Sequence, residues 1–480
     1  MSDSLKDIPI RVVHTPPGKD PDQGSSLYEV HKKVYPRAVK GVFNNWRVLF
    51  VLGTQLVYLA LPWLNWNGRQ AVLFDLANRK FFLFGLTIWP QDFIYLAALL
   101  ICSAFGLFAW TTVAGRLWCG YSCPQTVYTE IMLWIENWVE GDRNKRMKLD
   151  KSPMSARKLR IKSTKHALMI AFSLVTGFTF VGYFTPIRDL VAALPRLDYG
   201  PWESFWILFY AGFTYLFAGF LREQMCIYMC PYAQFQSVMF DADTLIVSYD
   251  EARGEPRGSR KKGVNPRDEG LGDCIDCTLC VQVCPTGIDI RNGLQIACIG
   301  CAACIDACDD VMDKMGYPRG LIRYTTENAL KGAYPESEFV SRLKRPRVVL
   351  YTLVLLVVVG ASLGSLLMRK PFKVDVLRDR ASLVRETDDG WLENSYSLKI
   401  INTSEQSQRF RLSVKGLPDV KLSTDTPVVT AAAAATETVG VRVQADPQYA
   451  TKGSHEIHFV IESLDDPSKV VEEKSSFIGE

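Results

Sequence analysis

Residues 274–308 read Cys274-Ile-Asp-Cys277-Thr-Leu-Cys280-Val-Gln-Val-Cys284-Pro285 and, further on, Cys298-Ile-Gly-Cys301-Ala-Ala-Cys304-Ile-Asp-Ala-Cys308. Each half is a C-x2-C-x2-C-x3-C run, the spacing of a bacterial-type two-cluster ferredoxin. Thiolates three residues apart wrap one face of an iron-sulfur cube, and the fourth cysteine of each run serves the other cube. The expected ligand sets are therefore Cys274, Cys277, Cys280 and Cys308 for one 4Fe-4S cluster, and Cys298, Cys301, Cys304 and Cys284 for the other. Zinc takes four ligands as two spaced pairs rather than eight in a doubled run. A disulfide framework needs an oxidising compartment, which the charge distribution below argues against. Asp309 stands where the first half has Pro285, which weakens a turn and removes no ligand.

The rest of the chain surrounds this segment with apolar runs. Hydrophobic residues make up 48% of 480 despite polar ends, so the apolar content is concentrated between them. Five uncharged runs are long enough to span a bilayer: Val48–Leu64, Phe93–Val113, Ala167–Ile187, Phe205–Leu221 and Val348–Met368. The connection 114–166 holds 11 Lys and Arg and 222–347 holds 16, against three in 65–92 and two in 188–204. The positive-inside rule then places the N-terminus, the basic loop 143–166 and the ferredoxin segment in the cytosol, and the C-terminus outside. The expected layout is a polar cytosolic tail (1–45), a four-span region (46–250), a cytosolic ferredoxin insert of α+β type (251–347), a fifth span (348–368) and an external domain (370–480).

That external part changes character. Ser395–Ile401, Gln408–Val414, Val439–Val443 and His455–Glu462 have strand length and patterning, separated by turn residues such as Asn402-Thr-Ser and Asp465-Asp-Pro. They predict an all-β, immunoglobulin-like sandwich without a disulfide, with a β-barrel as the other possibility. On the same outer side, Asn65–Asp92 reads as a hairpin lying against the membrane surface. His455 and His458, three apart on a strand, face opposite sides and make a poor chelating pair.

A second cysteine pattern lies within the membrane region. The second and fourth runs lead into Cys119-Gly-Tyr-Ser-Cys123-Pro124 and Cys226-Ile-Tyr-Met-Cys230-Pro231. A repeated C-x3-C-P motif at matching topological positions points to a metal or redox role, and soft thiolates suit Cu(I), zinc or an iron-sulfur cluster. On a continuous helix, residues i and i+4 share one face. Met225 and Met229 add soft donors to the second copy alone. Cys102, in mid-span, reads as packing. There is no P-loop and no G-x-G-x-x-G after a strand, and the basic loop reads as lipid-facing rather than as a nucleic-acid patch.

Five spans, two C-x3-C-P motifs, a two-cluster segment before the last span and a terminal sandwich together resemble the CcoG/FixG/RdxA family of bacterial cytochrome c oxidase accessory proteins. The resemblance runs from Tyr35-Pro-Arg through the sandwich. It implies a multi-pass protein of the bacterial cytoplasmic (inner) membrane with a periplasmic sandwich. It also implies a cupric reductase that converts Cu(II) to Cu(I) for assembly of cbb3-type cytochrome c oxidase, with copper as substrate. The eight ferredoxin cysteines would hold the two clusters, and Cys119, Cys123, Cys226 and Cys230 would belong to the membrane redox path. Implied partners are oxidase assembly factors, a copper transporter or chaperone, membrane lipid and a quinol, with no nucleic acid. Two other readings stay open: a quinol-oxidising electron-transfer subunit, and an oxidase assembly scaffold without catalysis.

Overall fold

The computed structural model describes residues 33–262, 265–335, 344–379, 384–387, 389–424 and 426–479. Most of the polar tail expected over 1–45 lies outside them.

Among the described residues, five helices are long and apolar enough to cross a membrane: Val42–Trp63, Pro90–Ala114, Ala156–Val181, Pro201–Leu221 and Pro346–Leu367. The shortest has 21 residues, or about 32 Å at 1.5 Å per residue, which matches a hydrocarbon core of about 30 Å. The third begins well before the apolar run because Ser155 caps it, accepting from the Lys158 N–H at 3.2 Å. The Lys- and Arg-rich turns that follow are good helix formers in their own right. The fourth changes to π-helix over Tyr215–Leu221, a form common at functional sites.

The basic segment 143–166 departs from the lipid-facing reading in part. Arg146 and Lys165 are buried and turn inward to Glu136, at 3.2 and 3.4 Å. Lys162 bridges Glu140 and Asp150 at 2.8 and 2.5 Å. Lys145, Lys148, Lys151, Arg157 and Arg160 remain exposed. Buried cations need anionic partners, and the helix Pro124–Glu140, packed along the third span, supplies two of them.

The ferredoxin unit packs against one end of the helices and the sandwich against the other. An antiparallel strand pair, Ile246–Tyr249 with Ile322–Thr325, frames the ferredoxin. A physical joint ties it to the first span. Asp306, on the ferredoxin helix Ala303–Met315, accepts from the N–H groups of Phe43 and Asn44 at 3.2 and 2.7 Å. It thereby caps the first span from 263 residues away. A Cβ on Gly41 would stand 2.2 Å from the Asp306 Cγ, so a larger residue there displaces the capping side chain. Asp306→Ala removes the cap, at a cost of about 1 kcal/mol. Hydrogen exchange should show Phe43 and Asn44 losing protection, and unchanged protection would refute the joint.

At the opposite end the strands form two antiparallel sheets. Strand order is 421–423, 436–445, 392–402, 372–378 in one, with 385–386 also on 392–402, and 428–431, 408–415, 453–463, 470–479 in the other. This is a sandwich, not a barrel. Phe372, Phe410, Phe459, Phe477, Leu398 and Ile400 fill the space between the sheets. The alternation of Tyr396, Leu398 and Ile400 on one strand face produces that layer. Four of these strands carry the patterning noted in the sequence; 372–378, 385–386, 421–423, 428–431 and 470–479 do not stand out there.

The expected outer hairpin is a three-stranded sheet, Val72–Asp75, Lys80–Leu83 and Leu86–Ile88, preceded by a short pair at 65–66 and 69–70. It docks on the sandwich through Arg69–Glu405 at 2.7 Å and Lys80 Nζ to the Ala434 carbonyl at 2.8 Å. Buried Asp92 pairs with Arg369 and Lys373, each at 2.5 Å, joining the second span to the chain that leaves the fifth. His455 Nε2 donates to the Thr451 carbonyl at 2.6 Å, and His458 sits beside Glu456 and Glu472. The two imidazoles thus have separate partners.

Candidate metal centres and the thiols beneath them

The two cysteine runs fold as near copies. In the first, Asp276 and Thr278 flank Cys277 with φ of 52° and 58°; in the second, Gly300 and Ala302 flank Cys301 with φ of 67° and 58°. Left-handed residues on both sides of the central cysteine curl the chain into a loop, and such loops form concavities that suit anionic iron-sulfur sites. Three of these four residues are not glycine. Each costs of order 1–3 kcal/mol, so the surroundings must impose the shape. A short helix follows each loop, Leu279–Gln282 and Ala303–Met315.

Two cavities result. One is lined by Cys274, Cys277, Cys280 and Cys308 with Tyr249 and Arg291. The other is lined by Cys284, Cys298, Cys301 and Cys304, and Cys280 lines it as well. Among the described residues, no three His, Cys, Asp or Glu side chains gather closely enough to hold one metal ion. Four thiols around a cavity suit a multi-atom cluster rather than a lone zinc. Burial pushes the thiols of Cys280, Cys298 and Cys308 up to about 12, and Cys304 well above its ordinary value. Buried thiols of this kind become thiolates only in exchange for a metal, so the donor set fits 4Fe-4S clusters.

The C-x3-C-P motifs lie directly under the second cavity. Cys119 and Cys226 both pack against the buried cluster of Val283, Ile299, Cys301, Ala303 and Ala307. The contact is backbone to backbone: a Cβ on Gly120 would stand 2.8 Å from the Cys301 Cα, and one on Gly300 would stand 3.1 Å from the Arg116 carbonyl oxygen.

Neither motif lies on one continuous helix face. Cys119 belongs to the short helix Leu117–Tyr121, whereas Cys123 is extended (ψ 128°) and caps the next helix, Pro124–Glu140. Likewise Cys226 is in the π-turn Met225–Met229, and Cys230 (ψ 109°) caps Pro231–Met239. Proline forces the residue before it out of helical geometry, so each motif places one thiol in a last turn and one at a break. Cys123 thereby gains the positive end of a helix. Burial raises its thiol, and the Thr126 and Gln125 N–H groups pull it the other way. Burial also lifts Cys119 to about 11 and Cys226 to about 12, each sensing Cys123 next.

Two residues at this junction stand outside the cysteine motifs. Gln236, fully buried, holds its Oε1 3.5 Å from the Cys119 Sγ. Arg116, also buried, donates to the carbonyls of Ile296, Cys298 (3.2 Å) and Ala233 (2.6 Å). Its position three residues before Cys119 is the one clue the sequence offers. Cys102 lies half-buried within the second span.

Comparison with known proteins identifies the families to which these segments are similar. A 4Fe-4S dicluster domain family matches residues 221–327, a 4Fe-4S binding domain family matches 96–146, and a family described as an IG-like fold at the C-terminal of FixG matches 362–480. Nitrogen fixation protein FixG of Rhizobium meliloti is 40% identical over 426 residues, covering 82% of this chain and 81% of its own. The chain belongs to the FixG family. Within it, protein RdxB of Cereibacter sphaeroides is 42% identical over 88% of this chain and 90% of its own, and protein RdxA of the same organism is 42% identical over 81% and 84%. This FixG-family chain is therefore a membrane iron-sulfur oxidoreductase.

Proposed function

We propose that the protein reduces Cu(II) to Cu(I) at the C-x3-C-P thiols, for copper delivery during assembly of cbb3-type cytochrome c oxidase. The observation that carries this reading is the packing of Cys119 and Cys226 against the buried cluster that contains Cys301. Cys274, Cys277, Cys280 and Cys308 would hold one 4Fe-4S cluster, and Cys284, Cys298, Cys301 and Cys304 the other. Bound there, the clusters supply electrons one at a time at low potential. Cys119, Cys123, Cys226 and Cys230 offer soft sulfur to copper, with Met225 and Met229 alongside the second pair. Such donors stabilise Cu(I) over Cu(II), so Cu(II) held there takes up one electron and becomes Cu(I). The charge asymmetry of the connections supports a cytosolic ferredoxin segment 251–347 and a periplasmic sandwich 370–480 on a cytoplasmic membrane. A cytosolic carrier or a quinol supplies electrons, and a copper transporter or chaperone takes the product.

The test is a double variant, Cys226→Ser with Cys230→Ser, purified anaerobically and reduced. Its iron content should match the parent, while Cu(I) formation, read with a Cu(I)-specific chelator, should fall at least about tenfold. A full rate with intact clusters would overturn the copper reading. Clusters reoxidised only by a protein partner would favour the electron-transfer subunit.

A further inference from the structure

The two C-x3-C-P motifs are enclosed differently. Between the cysteines of the first, Gly120 and Tyr121 are buried. Between those of the second, Tyr228 and Met229 are exposed. The helix that follows, Pro231–Met239, has the reverse of a water-facing pattern. Its buried residues are Ala233 and Gln236, while Phe235 and Val238 stand outward, 65% and 82% exposed. A surface helix in water turns its polar face out and its apolar stripe in; this one buries an amide and presents apolar side chains.

The second span sets the depth of this helix. The Tyr232 hydroxyl lies 2.6 Å from Thr111 Oγ1 and donates to the Leu107 carbonyl at 3.4 Å. Gln236 Nε2 donates to Thr111 Oγ1 at 3.5 Å. Thr111 and Leu107 stand in the last two turns of the span, which ends at Ala114, so they lie about 5 and 10 Å before that end. Interfacial helices bury an apolar face about 5–10 Å into the boundary between headgroups and acyl chains, and this helix is level with it. Its outer surface also continues that of the spans. Leu216 and Phe220, late in the fourth span, are exposed, and Arg347, at the start of the fifth, reaches the Met239 carbonyl at 3.4 Å. Arg116 ties the Ala233 carbonyl to that of Ile296, and Leu294 and Ile296 extend the exposed apolar surface onto the ferredoxin unit.

We propose that the π-turn Met225–Met229 and the helix Pro231–Met239 form an interfacial element that lies in the leaflet on the ferredoxin side. Tyr228, Met229, Phe235 and Val238 sit among its acyl chains, while Tyr232 and Gln236 hold the element to the second span. The two motifs are therefore not equivalent. The residues between Cys226 and Cys230 open to lipid rather than to water, so an agent that approaches the second motif from outside the protein comes through the bilayer. Large exposed apolar patches mark protein or membrane contacts, and the depth beside Leu107 and Thr111 selects the membrane. The proposal rests on the five helices crossing the membrane and is independent of copper as substrate.

Full-length protein in vesicles of phosphatidylethanolamine and phosphatidylglycerol tests it. Phe235→p-acetylphenylalanine, coupled through its ketone to a nitroxide, places a spin label on the helix without touching the cysteines. Collision of the label with oxygen, which concentrates in lipid, is compared with collision with a water-soluble nickel chelate. Lys314, exposed on the ferredoxin helix, serves as the water control. Leu353, exposed within the fifth span, serves as the lipid control. The oxygen-to-nickel ratio at Phe235 should approach that at Leu353 and exceed that at Lys314 severalfold. A ratio equal to that at Lys314 would place the helix in water and overturn the proposal. Weak collision with both reagents would mean that protein, a partner or a second copy of the chain, covers the face, and would overturn it equally. Val238 carries the same label in a second variant, and whichever labelled protein keeps the iron content of the parent decides.

Discussion

Gly120→Val should empty one cluster cavity and leave the other filled, halving iron from about eight to about four per chain. At Gly120 the nearest atoms to an added Cβ are the Cys301 Cα at 2.8 Å, its N at 2.9 Å and the Gly300 carbonyl carbon at 2.9 Å. These are backbone atoms, which have no rotamer to move into. Overpacking a side-chain core costs about 1–3 kcal/mol because neighbours adjust; here a valine drives two main chains apart. The displaced loop carries Cys298 and Cys301, whereas Cys274 and Cys277 lie on the other run and keep their places. Iron and protein assays on anaerobically purified membranes in detergent read the result. Full iron occupancy would show that the second cluster does not depend on docking to the C-x3-C-P segment.

Glu136→Gln should destabilise the whole helical region. Glu136 is buried and meets Arg146 at 3.2 Å, Lys165 at 3.4 Å and Arg222. Neutralising it leaves a cluster of buried cations short of an anion, at a cost of about 3–5 kcal/mol. The carboxyl itself shows how tightly it is held. Burial alone pushes it up, but Arg222 and Lys165 prevail and bring it down to about 2. A carboxylate with a lowered folded value stabilises above its ordinary value of 4.5 and loses that contribution as pH falls toward 2. Stability should therefore be level from about pH 6 to 8 and drop steeply below about pH 4.5. Glu136→Gln should unfold at lower temperature at neutral pH and show a shallower acid slope. An unchanged melting temperature would mean the cations find water or lipid phosphate instead.

Much of this architecture was legible because its signals are periodic or stoichiometric. Eight cysteines in two identical spacings, and five apolar runs with alternating flanking charge, each point one way. The junction was not legible. Its parts are a glycine, an arginine and a glutamine whose importance depends on which backbones meet. Gly120 looks like any residue between two cysteines until Cys301 is seen against it. The C-x3-C-P motifs were expected on one helix face because i and i+4 align there, but Pro124 and Pro231 override that geometry at the second cysteine. The basic segment misled for a similar reason: charge counts report sidedness, whereas Arg146 and Lys165 answer to Glu136, which only tertiary packing brings near.

The cap that Asp306 places on the first span also has a bearing on biogenesis. Ribosomes add about 5–20 residues per second, so the first helix waits roughly 15–50 s for the residue that closes its end. Asp306 lies between Cys304 and Cys308, so the start of the first span is closed only once the ferredoxin segment has been made and folded against it.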